Sequence, residues 1–271
     1  MGGITYSYKI KNMKKIVILE IPHAQESNQL IQHVHFDAYC YLNGAIFINP
    51  KFSYLSRTRV QGRGIIFEFY LKILTLKISR KILIKLHIAK YHRFYAPDMK
   101  DQFNISNITY VKGWYFRNKQ CFNEIKPYYI EKFNNRLKKE DFFENKRIFL
   151  VAIHIRRGDY RNFLGGKYFL NDNQYITALK NIIQELNEEY KIIVFGNDPD
   201  LDKKYYLDLG LDLFISEGSI YQDYYRMSNC DVVIGPSSTF SIWAQFISNG
   251  KLKKIVIDKD NYNKVRLLDA L

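Results

Sequence analysis

Cysteine is scarce in this chain. Cys40, Cys121 and Cys230 lie far apart, and no CxxC occurs. An odd, sparse set excludes a disulfide scaffold and suits a reducing compartment. Zinc-ligand spacing is missing as well, so no metal site is expected. His33 and His35 are two apart on an expected helix and face different sides, and His87 and His92 are isolated. There is no long apolar run. The nearest approach, Ile65 to Ile88, is interrupted by Lys72, Lys77, Arg80, Lys81 and Lys85. A transmembrane helix needs about 20 mainly apolar residues, so this stretch is a poor span. The opening residues MGGITYSYKIKNMKK carry no apolar core behind their charges, which argues against a secretory signal. Neither GxGxxG nor GxxxxGK[ST] appears, which excludes a standard dinucleotide fingerprint and a P-loop. No short internal repeat is visible.

What is present is a globular composition. The 271 residues are 47% hydrophobic and 25% charged, enough to bury a core without a covalent staple. Acidic residues are in deficit: 41 Lys+Arg against 27 Asp+Glu gives a formal net charge of +14. That excess favours anionic partners: nucleic acid, a phospholipid surface or a phosphorylated small molecule.

The C-terminal half reads as alternating strands and helices. Ile148 to Ile155 is a short apolar run rich in β-branched residues, expected as a buried strand. A helix capped by Asn171 or Asp172 is expected to run to about Tyr190. Lys191 to Gly196, Leu213 to Ile215, Asp231 to Gly235 and Lys254 to Ile257 read as further strands. Ile220 to Met227 and Ser238 to Ser248 read as helices. In the N-terminal half, Ile16 to Leu19 and Ala45 to Ile48 read as strands around a helix from about Ser27 to Leu42. Gly64 to Arg93 looks helical, and Glu131 to Lys146 reads as a helix and linker. This alternation implies parallel sheets, with two α/β domains divided at 145/146 and a ligand at the carboxyl ends of the strands.

Two places carry chemistry. The first is His154-Ile155-Arg156-Arg157-Gly158-Asp159-Tyr160, at the end of an expected buried strand. Alternation puts His154 and Arg156 on one face and Arg157 on the other. An arginine there can grip a phosphate through two parallel N–H bonds. Arg157 could instead pair with Asp159 and brace the loop. The second is Gly235-Pro236-Ser237-Ser238-Thr239, between a strand and an amphipathic helix. Hydroxyls and free backbone N–H groups at a helix start form an anion site, while plain N-capping by Ser237 or Ser238 is the simpler use. Asp223 has a carboxylate that could accept two N–H bonds from a guanine edge, or could be an ordinary helix-surface charge.

HIRRGDY, the later YxDxYxMSxCDxxIxxSSxFSxWxA pattern, Asn28-Gln29-Leu30-Ile31-Gln32 and Lys112-Gly113-Trp114-Tyr115-Phe116 together resemble bacterial α-1,2-fucosyltransferases of glycosyltransferase family 11. The resemblance implies a GT-B fold of two Rossmann-like domains with a cleft between them. It also implies a GDP-sugar donor bound as substrate with no cofactor, no obligatory metal, and inversion at the anomeric carbon. Carried onto this sequence, Arg156 contacts the diphosphate as the catalytic cation and Arg157 supports it. His154 and Asp223 read guanine, Ser238 and Thr239 close on the phosphates with Ser237 beside them, and Asn28 and Gln29 approach the donor from the first half. The expected activity is transfer of L-fucose to a hydroxyl of a surface glycan, O-antigen or capsule. The family's glycine-rich turn before Asn-Gln is replaced by Gln25-Glu26-Ser27, where Glu26 adds a negative charge. No residue stands out as general base; His23, Glu26, Asp37 and Asp159 are the titratable groups nearest the motifs.

The stretch Gly64 to Arg93 interleaves apolar and basic residues, and Glu68 is its only acid. Interfacial helices have this composition, and so does a basic helix packed over a core. An anionic membrane surface, reached from the cytoplasmic side, is therefore a candidate partner beside the donor and a lipid-linked acceptor. Nucleic acid is not expected, because no RNP-like or zinc-finger pattern accompanies the scattered aromatics.

Overall fold

The computed structural model describes residues 15–20, 25–57, 64–95, 102–113, 115–137, 148–196, 198 and 201–267, with 64–68 as backbone only. The chain divides into two compact units, Met1–Lys132 and Phe133–Leu271.

Unit one is built on a four-stranded parallel sheet in the order β2-β1-β4-β3. Its elements are β1 (Lys15–Leu19), α1 (Glu26–Leu42), β2 (Ala45–Ile48), α2 (Gly64–Leu74), α3 (Lys77–Lys85), β3 (Ala89–Phe94), β4 (Ile108–Gly113) and most of α4 (Lys119–Leu137). One face of the sheet is closed by an aromatic core in which Phe36 stacks on Phe116 at 4.3 Å, joined by Phe94 and Phe103. The other face holds Ile16, Ile18, Ile46, Leu74 and Tyr110. Gly113 adopts φ +128°, and a Cβ there would lie 2.2 Å from the Phe94 carbonyl oxygen.

The helical reading of Gly64 to Arg93 needs correction. The helix α3 stops at Lys85, His87 takes φ 59°, and Ala89–Phe94 becomes a strand. This strand occupies the edge of the sheet, where Lys90 and Arg93 remain in water and only Ala89 and Phe94 are buried. An edge strand with outward charges lacks the apolar signature of a buried one, so its lysines read as a continuing basic helix. The strand β4 went unread for a related reason: Thr109 and Lys112 break its apolar run.

Unit two carries a five-stranded parallel sheet in the order β7-β6-β5-β8-β9. The elements are β5 (Phe149–Ile155), α5 (Asp172–Gln184), β6 (Tyr190–Gly196), α6 (Lys203–Leu207), β7 (Leu213–Ile215), α7 (Ile220–Ser228), β8 (Val232–Gly235), α8 (Thr239–Ile247) and β9 (Lys253–Val256). Alternation along β5 sends Val151, Ile153 and Ile155 to the α5 side, with Tyr175, Leu179 and Ile182. It sends Leu150 and Ala152 to the opposite side, with Met227 and Ala244. The helix α5 begins in a capping box, Asn171 with Gln174, and ends at Gln184 rather than near Tyr190, which opens β6 instead. The short α6 was not foreseen.

The sequence reading divides the chain at 145/146, whereas the compact units divide at Lys132/Phe133, inside α4. The Phe133 ring packs at 5.3 Å from Trp243 and 6.1 Å from Tyr224, which ties the last turn of that helix to unit two. Residues 138–147, the expected linker, lie outside the described residues.

Candidate active site

In the second sheet the strand order reverses between β5 and β8, the topological switch point at which open α/β sheets bind ligands. Two glycines let neighbouring strands close on the end of β5. A Cβ on Gly235 would lie 2.6 Å from the His154 carbonyl oxygen, and one on Gly196 would lie 3.1 Å from that of Ile155. The loops beyond β5 and β8 therefore leave the sheet side by side. They are fastened by Tyr160, whose hydroxyl donates to the Ser237 carbonyl oxygen at 2.7 Å.

Arg156 sits at this edge with its side chain 11% exposed. Its Nη2 donates to both oxygens of Asp159, at 2.8 and 3.0 Å, and its guanidinium lies 5.2 Å from the Tyr160 ring centroid. Its buried Nε has no partner. The Asp159 side chain is half exposed, so the pair is open to exchange. A diphosphate offers the same bidentate acceptor geometry with more charge.

Arg157 turns to the other face, as alternation requires. It is buried, its Nε donates to the Leu170 carbonyl oxygen at 3.2 Å, and its Nη2 pairs with the Asp172 carboxylate. Asp172 also accepts the Tyr206 hydroxyl at 2.5 Å. The Arg157–Asp159 pairing that the sequence left open is thus replaced by two separate pairs, Arg156–Asp159 and Arg157–Asp172. Arg157 braces the loop from beneath.

His154 lies on the side of α8, 5.1 Å from the Phe240 ring. Burial, with Arg156 and Lys254 adding to it, pushes its pKa down to about 3, so the ring is neutral. Its buried Nδ1 has no partner. Phe240 stacks at 4.4 Å on Tyr224, the residue after Asp223. Asp223 is no surface carboxylate: its Oδ1 accepts the Ser216 hydroxyl at 2.6 Å and lies 3.9 Å from Arg226 Nη1, which donates to Ser216 Oγ at 2.8 Å. Burial raises the Asp223 pKa, opposed by Ser216 and Arg226. Gly218 makes room for the cluster, since a Cβ there would meet Arg226 Nη1 at 2.6 Å.

Ser238 caps α8, its Oγ accepting the Phe240 N–H at 3.2 Å. Thr239 is the first helical residue, and Ser237 is exposed. Capping and anion binding are compatible here, because the cap satisfies one N–H and the rest of the first turn still points out of the helix.

In unit one, Asn28 and Gln29 occupy the first turn of α1. Gln29 Oε1 accepts from Lys51 Nζ at 2.8 Å, and the same ammonium pairs with Glu26 at 2.5 Å. The negative charge that replaces the family's glycine turn is therefore neutralised locally. The other first-half acids and histidines are committed. Asp37 is fully buried and accepts the Arg57 N–H and the Tyr129 hydroxyl, each at 2.7 Å. His33 contacts Asn49 at 3.1 Å, and His35 contacts the Asn118 carbonyl oxygen at 3.3 Å. Burial brings their pKa values to about 3 and about 4. His23 and Trp114 lie outside the described residues.

The structure thus gathers His154, Arg156, Ser237, Ser238 and Thr239 at one sheet edge, links Asp223 to them through Tyr224 and Phe240, and sets Arg157 behind them. Asn28 and Gln29 belong to the other unit. Sequence reasoning missed Tyr160, Phe240, Ser216, Arg226 and Lys51. Tyr160 was within sight as the last residue of the arginine motif; the others carry no local signal. Among the described residues, no group of three or more His, Cys, Asp and Glu gathers to hold a metal.

Two parallel-sheet units, one with an arginine strand end facing a serine-capped helix at its switch point, define a GT-B glycosyltransferase. More narrowly, the chain belongs to glycosyltransferase family 11, whose model matches residues 60–268. Its fold is similar to that of the fucosyltransferase NodZ from Bradyrhizobium, at 12% identity and a TM-score of 0.50, over 86% of this chain and 93% of that one. A structure of NodZ alpha-1,6-fucosyltransferase soaked with GDP-fucose is also 12% identical, with a TM-score of 0.48 over 91% and 96% of the two chains. No curated protein matches the chain in sequence.

Proposed function

We propose that this family 11 member is an inverting fucosyltransferase that moves L-fucose from GDP-fucose to a hydroxyl of a surface-glycan acceptor, forming an α-1,2 linkage without a metal. The observation that carries the donor reading is the unpartnered Nε of Arg156, buried beside the first turn of α8 at the switch point. As the bond to fucose breaks, negative charge develops on the leaving β-phosphate and positive charge on the sugar. Arg156 and the N–H groups of α8 are fixed dipoles and charge where the phosphate charge grows, so they favour the transition state over the ground state. Asp159 holds the guanidinium in place until the diphosphate takes over the bidentate bonds.

The neutral His154 and the second oxygen of Asp223 supply an acceptor and a carboxylate for the guanine edge. Arg157 keeps the β5 loop rigid, and Asn28 and Gln29 contribute from unit one. The donor enters as a substrate, and no cofactor is required.

The test is calorimetry of the full chain against GDP-, UDP-, ADP- and CMP-sugars, followed by linkage analysis of the product. Preference for GDP-fucose and transfer undiminished in EDTA support the reading. Selective binding of another GDP-linked sugar would reassign the sugar, and GDP binding without transfer would make the chain a non-catalytic relative. Preference for a UDP-sugar would overturn the guanine assignment.

A further inference from the structure

The helices α2 and α3 have an inner and an outer face with different chemistry. On the inner side, Leu71, Leu74, Leu83 and Ile84 pack against the first sheet. Arg80 pairs with Glu20, which also accepts the Tyr91 hydroxyl at 2.7 Å, so α3 is held to the sheet by charge as well. The outer side remains apolar. Phe69, Tyr70, Ile73, Leu76, Ile78, Ile82, Leu86 and Ile88 are all exposed, Ile78 at 72% and Ile82 at 51%. These eight are nearly half of the 18 large exposed apolar side chains among the described residues, drawn from 20 consecutive positions. Scattered exposed apolar residues need no explanation, but a contiguous set marks a contact surface.

The charge pattern says what kind. Lys72, Lys77, Lys81 and Lys85 are exposed among these residues. On α3, Ile78 and Ile82 form one row along the helix, and Lys81 and Lys85 form the adjacent row. A second copy of the chain on this face would oppose lysine to lysine. A surface carrying distributed negative charge over an apolar layer matches both rows at once. No helix among the described residues is long and apolar enough to cross a membrane. At about 1.5 Å per residue, neither α2 nor α3 approaches the roughly 30 Å of a bilayer core. The face is suited to lying on a bilayer.

We propose that the outer face of α2 and α3 docks unit one on an anionic phospholipid surface, with the isoleucines entering the headgroup boundary and the lysines at the phosphates. This goes beyond the donor reading and does not depend on it.

The experiment is co-sedimentation of the full chain with vesicles of equal parts phosphatidylglycerol and phosphatidylcholine, and with phosphatidylcholine alone. Binding to the anionic vesicles is expected, weakened in about 0.5 M salt. A lysine near such a surface strengthens binding about fivefold, so Lys81→Gln/Lys85→Gln should weaken it about 25-fold. Ile78→Asn/Ile82→Asn should weaken it at least about tenfold. All four side chains are exposed, and an unchanged unfolding transition checks each variant. Equal binding to both vesicle types, or variants that sediment like the parent, would overturn the proposal. So would a dimer abolished by Ile78→Asn/Ile82→Asn, which would assign the face to a second copy.

Discussion

Replacing Asp172 by Asn isolates the role of Arg157. In the native chain the Arg157 guanidinium is buried, with the Asp172 carboxylate and the Leu170 carbonyl as its partners. Its charge also lies 5.7 Å from the Tyr175 ring centroid. Asn keeps the shape and an acceptor for Tyr206 but removes the countercharge. Removing one partner of a fully buried pair costs about 3–5 kcal/mol. The Asp172 side chain is 31% exposed, so water can approach the orphaned cation, and the expected cost falls to about 2–3 kcal/mol. For a unit of this size, 1 kcal/mol moves Tm by about 3–5 °C, which gives a drop of about 6–15 °C. The chain has two tryptophans, and Trp243 is buried in unit two. With Trp114 replaced by Phe in every variant, the fluorescence melt reports that unit. Asp172→Asn combined with Arg157→Met removes the stranded charge and should recover at least half of the loss. A Tm within about 2 °C of the parent for Asp172→Asn, or a double variant weaker than the single, would refute the brace.

Arg156→Ala should lower turnover at least about 100-fold and leave Tm within about 2 °C, since only a half-exposed carboxylate loses its partner; near-normal turnover with the true donor would remove Arg156 from the site. Gly235→Ala drives a Cβ against the His154 carbonyl and should cost about 1–3 kcal/mol while weakening donor binding; an unshifted melt and unchanged affinity would mean that the strands yield freely. The buried histidines set a pH dependence. Folded pKa values of about 3 for His33 and His154 and about 4 for His35 lie below the ordinary 6.5, so the unfolded chain takes up protons first. Their stabilisation is complete above about pH 6.5 and is lost as pH falls toward about 4, by up to about 1.4 kcal/mol per unit for each histidine. Urea midpoints that stay level between pH 7.5 and pH 5 would contradict this.

The second unit was legible because its strands are buried on both faces. IFLVAIHI and DVVIG need no neighbours to announce themselves, and Asn171, Ser219 and Ser238 mark helix starts in the sequence and in the structure. In the first unit, β3 alternates weakly at a sheet edge and β4 is interrupted by Thr109 and Lys112, so composition pointed to a basic helix and missed two strands. The arginine motif identified the right loop but could not say which arginine takes which acid. That assignment depends on Asp172, 15 positions after Arg157, reaching back from the start of α5. Lys51 answers Glu26 across 25 positions, and Arg226 meets Ser216 across ten, separations at which single-sequence patterns are silent.

The aromatic column of His154, Phe240 and Tyr224 has a consequence for how this enzyme could change its donor. Phe240 touches both of the other rings, and its backbone N–H is the one that Ser238 caps. The residues assigned to the nucleobase and those assigned to the phosphates are therefore spliced through a single side chain. A mutation that re-shapes the base pocket at Phe240 also disturbs the start of α8. Stepwise drift to another nucleotide meets a rugged path, and laboratory evolution of a new donor would do better to leave this column intact and diversify other parts of the chain.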